Sequence, residues 1–141
     1  MNNSSFILIK APDHGIEFKA RLLVDENPEV IKTIRANLPL KSVLGHVVIS
    51  GEAIWAPTKI VFLGKGNMVK RSPGAVYLYA PGQTICMTYG SITESALVNK
   101  FGQVIDEHLP RLQELGNIVW RKTVADFQRV QVNVEISEVT E

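Results

Sequence analysis

Cysteine is nearly absent from this 141-residue chain. The single thiol, Cys86, leaves no partner for an internal disulfide and excludes a multi-cysteine zinc site. Long apolar runs are missing too. The stretch at 6–9 is shorter than a signal-peptide core, and nothing approaches the ~20 residues of a membrane span. The expectation is a soluble, cytoplasmic protein with no membrane partner. Neither sign of charge is in surplus: fifteen Lys and Arg against fourteen Asp and Glu leave +1. The basic residues are dispersed among acids, so no footprint for nucleic acid is formed. The three histidines, His14, His46 and His108, show no His-x-His or His-x-x-x-His spacing, and no metal is expected. A Gly-x-Ser-x-Gly elbow is lacking, and the Gly64-Lys65-Gly66-Asn67 loop lacks Walker spacing, so no nucleophilic serine and no cofactor are implied.

What is present is a core. Hydrophobic residues make up 45% of the chain, enough for one domain over residues 1–141. Glycine and proline interrupt the sequence often, as in folds of many short strands. Residues 6–9 and 16–24 read as a hairpin around Pro12-Asp13-His14-Gly15, with Ile16, Phe18 and Ala20 on one face. Asn27-Pro28 reads as a helix start, Asn27 capping and Pro28 at the first helical position. Val30, Ile31, Ile34 and Leu38 then share one side, and Leu38-Pro39 stops the helix.

Residues 42–55 read as two strands about a Ser50-Gly51 turn, and 60–63 as another short strand. Ala75 to Tyr79 and Thr84 to Tyr89 flank the turn at Pro81-Gly82. A short helix fits Leu109, Leu112 and Leu115, with Gly116 as a left-handed cap, and 124–136 alternates as a closing strand. About eight strands with two short helices at 28–37 and 109–115 predict a mainly β fold: a closed barrel with the helices capping its openings.

The order of these pieces resembles cyclophilins. The segment from Asn27-Pro28 to Leu38-Pro39 is similar to their first helix, and Phe101-Gly102-Gln103-Val104 looks like the Phe-Gly-x-Val stretch before their second. Gly51-Glu52-Ala53-Ile54-Trp55, Gly74-Ala75-Val76-Tyr77-Leu78-Tyr79, Pro81-Gly82 and Tyr89-Gly90 resemble more closely the bacterial and archaeal cyclophilin-like proteins of uncharacterised function. The resemblance spans roughly 5–136 and implies a closed cyclophilin-like barrel, but a fold does not fix an activity.

Cyclophilins isomerise X-Pro bonds with an arginine that polarises the amide, in a Phe-His-Arg triplet over an apolar floor. The matching residues here are Gly45-His46-Val47, and Thr84-Ile85-Cys86 stands where the family has Gln-Phe-Phe. The expected outcome is little or no isomerase activity; Arg71 could reach into the cleft from a loop, but nothing in the sequence places it there.

Five residues are the candidate ligand-binding set: His46, Glu52, Trp55, Tyr89 and Glu94. His46 titrates near neutral pH and lies where a strand should reach the barrel mouth. Glu52 would face it across the hairpin, raise its pKa and let the pair hold an anion or move a proton. Trp55 and Tyr89 offer flat surfaces with polar tips, and Glu94 follows the Tyr89-Gly90 strand end. The competing reading, which general tendencies favour, is a half-buried His46, core aromatics and solvated Glu52 and Glu94. No catalytic residue is nominated. The reading is a barrel that binds a small polar molecule or short peptide in a side cleft, as a metabolic enzyme or accessory protein. Alternatives are a peptidyl-prolyl isomerase, marked by an arginine over an apolar floor, and a non-catalytic interaction subunit, marked by an exposed apolar patch. A homo-oligomer is compatible with all three.

Overall fold

The computed structural model describes residues 6–93 and 95–139. Its strands are β1 (Phe6–Ala11), β2 (Ile16–Leu22), β3 (Leu40–His46), β4 (Gly51–Pro57), β5 (Ala75–Tyr79), β6 (Thr84–Ile92), β7 (Asn99–Val104) and β8 (Val132–Val139). They are all antiparallel and close a barrel in the order β1-β2-β7-β5-β6-β4-β3-β8. Helix α1 (Pro28–Ala36) connects β2 to β3, and α2 (Leu109–Trp120) lies between β7 and β8. The expected closed barrel with two short helices is what forms. Among the described residues no helix is long and apolar enough to cross a membrane.

The interior follows from alternation. Ile16, Phe18, Ala20 and Leu22 of β2 and Val132, Val134 and Ile136 of β8 are buried, and their neighbours are not. Val30, Ile31 and Ile34 of α1 and Leu112, Leu115, Ile118 and Val119 of α2 join the same core. Helix α2 touches β2, β3, β4 and β6, strands from around the barrel, and so spans one opening.

Four local expectations change. Asn27 precedes α1, yet its side chain makes no capping bond. Its amide is buried and donates to Asn99 Oδ1 at 3.2 Å and the Lys100 carbonyl at 3.1 Å, while Asn67 N–H donates to Asn27 Oδ1 at 3.1 Å. Buried loop polar groups need partners more than an exposed helix end does.

Gly116 is not a cap. Helix α2 continues to Trp120 and ends in a wide turn over Arg121–Ala125. A Cβ at Gly116 would overlap the Tyr89 ring, so glycine is there for close approach.

Residues 60–63 form no strand. Ile60 and Phe62 do anchor the 58–74 loop on the core, but in a closed barrel every strand already has two neighbours and no edge is left to pair. The closing strand begins at Val132 and not near 124, with Val130 exposed.

Strands β4, β5 and β6 are covered on both faces. Ala75, Tyr77, Cys86 and Val98 form a second buried cluster outside the barrel, with Trp55 packed against it. Val69 pairs with Val98 in an isolated antiparallel bridge, which brings the long 58–74 loop over that outer face.

Candidate functional site

Two of the hollows on the barrel lie on either side of the β3–β4 turn. The first is a groove of about 450 Å³ on the outer face. Strand register sets its floor: Trp55 of β4 is opposite Cys86 of β6, which is opposite Tyr77 of β5. The Trp55 ring covers Gly45, its partner across β3, where a Cβ would come within 2.5 Å of Trp55 Cζ2. Tyr79, Leu97 and Val98 complete the apolar wall. Arg71, carried in by the 58–74 loop, brings its guanidinium carbon 6.0 Å from the Tyr77 ring centroid, with Nη1 3.5 Å from the Tyr77 hydroxyl. Burial pushes both the Tyr77 phenol and the Cys86 thiol up. The thiol therefore stays protonated at neutral pH and is not a nucleophile.

The second hollow, about 240 Å³, opens at the barrel end that α2 spans. His46 ends β3 on the inward register of Leu44 and is only 8% exposed. Its Nδ1 meets the Val47 carbonyl and its Nε2 lies 2.6 Å from the Tyr89 hydroxyl. A carbonyl only accepts, so Nδ1 carries the ring proton and Tyr89 donates to Nε2. Desolvation outweighs the Val47 carbonyl and the Glu52 charge and holds the His46 pKa below its ordinary value, and burial raises that of Tyr89. At neutral pH both groups are uncharged. The Trp120 ring meets His46 edge-on at 4.9 Å between centroids.

Glu52 is not opposite His46. The register pairs His46 with Ile54, and Val47 N–H donates to the Ala53 carbonyl, which leaves Glu52 in the turn beyond the ladder. The carboxylate instead lies over Gly90 and accepts the Ser91 N–H at 2.8 Å, still close enough for its charge to act on His46 and Tyr89. The expected raised imidazole is thus corrected by burial, and a neutral imidazole beside a carboxylate does not hold an anion.

Of the five candidate residues, His46, Glu52 and Tyr89 converge at the barrel end, and Trp55 lies in the outer groove. Glu94 lies outside the described residues. Asn117 and Trp120 also line the barrel end and lie beyond the helix end at 115 that the sequence predicts. The spacing of Leu112, Leu115 and Val119 continues the apolar stripe one turn further and was the available signal. In the groove the missed signal is the pair of near-continuous apolar runs, Ala75 to Tyr79 and Ile85 to Tyr89, which mark strands covered on both faces. Among the described residues no group of three His, Cys, Asp or Glu side chains is placed to hold a metal ion.

These features define a closed eight-strand antiparallel barrel with a lined outer groove. Solved structures share the fold, among them McbB and AF2241. McbB in complex with tryptophan matches at a TM-score of 0.82 and 24% identity over 96% of this chain. The matched part is 45% of McbB, so this chain spans less than half of that protein's length. The solution structure of the hypothetical protein AF2241 from Archaeoglobus fulgidus matches at a TM-score of 0.65 and 21% identity over 98% of both chains. No family model and no curated protein sequence matches this chain.

Proposed function

We infer that this chain is a cyclophilin-like barrel that binds a small, flat molecule carrying a carboxylate, in the outer groove. One observation carries the reading: the Trp55, Tyr77 and Tyr79 side chains line a groove whose polar margin is the Arg71 guanidinium. Aromatic side chains bury much area at low entropic cost, and the fixed positive charge of a guanidinium at the margin favours a ligand that carries a carboxylate. The volume suits a ligand of amino-acid to small-drug size. The bound tryptophan of McbB agrees in size and chemistry.

Isothermal titration with L-tryptophan and with indole-3-acetate tests this. Saturable binding of either that is lost in Trp55→Ala and in Arg71→Ala, and kept in His46→Gln, is expected. Absence of binding by both, or binding that survives both groove substitutions, overturns the reading.

One observation favours a second reading. An arginine beside an apolar floor is what prolyl isomerisation requires, although Arg71 arrives from a loop and not from the strand where cyclophilins carry theirs. A proline-peptide assay separates the two. Small-molecule binding expects the uncatalysed rate; acceleration abolished by Arg71→Ala would assign the groove to peptides. The exposed apolar side chains Val48, Ile49, Val61, Leu63 and Phe127 are divided among the 47–50, 58–74 and 126–131 segments, which is weak support for an interaction subunit.

A further inference from the structure

We propose that the hollow at the α2 end of the barrel is a second binding site, which takes a small organic ammonium ion between Glu52, Tyr89 and Trp120. The floor is made of acceptors. Tyr89 spends its only proton on His46 Nε2, so its oxygen presents lone pairs to the hollow. Glu52 Oε1 accepts the Ser91 N–H, which orients the carboxylate and leaves Oε2 for a ligand. His46 is fixed between the Val47 carbonyl and Tyr89 and brings no positive charge, since burial holds it neutral. The one formal charge among the lining residues is therefore the negative charge of Glu52. An ammonium group has three donors and no acceptor, the complement of this set. Asn117 and the indole of Trp120 line the remaining wall and suit a short apolar stem.

Two glycines make the arrangement possible. A side chain at Gly90 would displace the Glu52 carboxylate, and one at Gly116 would displace the Tyr89 ring. Both acceptors are thus set by backbone that leaves them room. The site is separate from the outer groove: of the residues lining the two, only Val47 is shared.

The test uses n-butylammonium as probe, with butyrate and n-butanol as matched controls, followed by NMR on the labelled full chain at the His46 and Trp120 ring signals. Saturable shifts with butylammonium alone are expected. Glu52→Gln keeps an acceptor for Ser91 and should weaken binding about tenfold or more, the usual effect of removing the charge from a hydrogen bond to an ion. Tyr89→Phe, which removes only the oxygen, should also weaken it, and decides the matter if the first variant fails to fold. Trp55→Ala should change nothing. No saturable shift with butylammonium, equal binding of butyrate or butanol, unchanged affinity in Glu52→Gln and Tyr89→Phe, or loss of binding in Trp55→Ala each overturns the site. The last result would place the ammonium in the outer groove.

Discussion

His46 and His108 are both held below the ordinary imidazole pKa, and for each there is a geometric reason to stay neutral. His46 is desolvated between β3 and α2. His108 also loses solvation, lies near Arg111 and Lys19, and accepts the Lys19 N–H on Nδ1 at 3.0 Å, a bond that a protonated ring cannot accept. The unfolded chain titrates these rings at about pH 6.5. Below that pH the unfolded state binds more protons than the folded state, so their contribution to stability is intact above about 6.5 and falls as the pH drops, levelling off below the folded-state values. Urea unfolding between about pH 7.5 and 5.5 should show the midpoint falling, with a shallower slope in His108→Gln. Equal slopes in the two proteins would contradict this. Gly116 makes an equally local prediction. Alanine favours a helix by up to ~1 kcal/mol, but here its methyl enters the Tyr89 ring, and overpacking costs about 1–3 kcal/mol. Gly116→Ala should therefore lower the urea midpoint and disturb the His46–Tyr89 bond, seen as a shift of the His46 ring signals. A stabilised variant would show that α2 moves aside freely.

At the scale of elements, the 58–74 loop carries Arg71 to the groove, and it is held near its middle by Asn27. That side chain joins the start of α1 to Asn67 on the loop and to Asn99 and Lys100 on β7. Asn27→Ala leaves buried donors and acceptors unmatched on several partners and should cost about 3 kcal/mol. It should also weaken any ligand that depends on Arg71, while His46→Gln does not. Urea denaturation and the tryptophan titration read the two effects separately; stability lost without any change in a measured groove affinity would uncouple the loop from the site. What the sequence shows of these elements depends on how local their cause is. β2 and α1 are legible because alternation and the Asn-Pro start lie within the segment itself. The end of α2 is not, because Gly116 serves the ring of Tyr89, which is brought against it only by folding. The 60–63 segment has strand composition but forms none, because closure of the barrel uses every edge. The groove was half legible. Its aromatics stand in the sequence, but the row Trp55, Cys86, Tyr77 exists only in the register of three strands. The sequence reading puts His46, Glu52 and Tyr89 in one cleft with Trp55, and the structure divides them, because the register of β3 on β4 pairs His46 with Ile54 and turns Trp55 to the outer face.

The whole molecule depends on a seam between the two ends of the chain. β8 lies between β1 and β3 and pairs with both, so closure waits for the last strand to meet the first. Long-range pairing of this kind is slow, and folding on the millisecond-to-second scale is expected. The α1 side is tied to the same strand by Arg35, whose Nε lies 2.7 Å from Glu138 Oε2; both side chains are partly exposed, so this pair contributes little. The seam is held mainly by burial. Ile136 is opposite Ile9 on one side and Leu40 on the other, and it is fully buried. Ile136→Ala removes core contacts from both joints and should cost about 3 kcal/mol. If the barrel opens as a unit, amide exchange in β1 and in β3 should accelerate together, by about a hundredfold, since each 1.4 kcal/mol is a factor of ten. Exchange that accelerates in β1 while β3 keeps its protection would mean that the β1–β8 joint opens alone. The barrel would then behave as a curved sheet with a loose first strand, and its closure would contribute little to the stability of the strands that carry the groove.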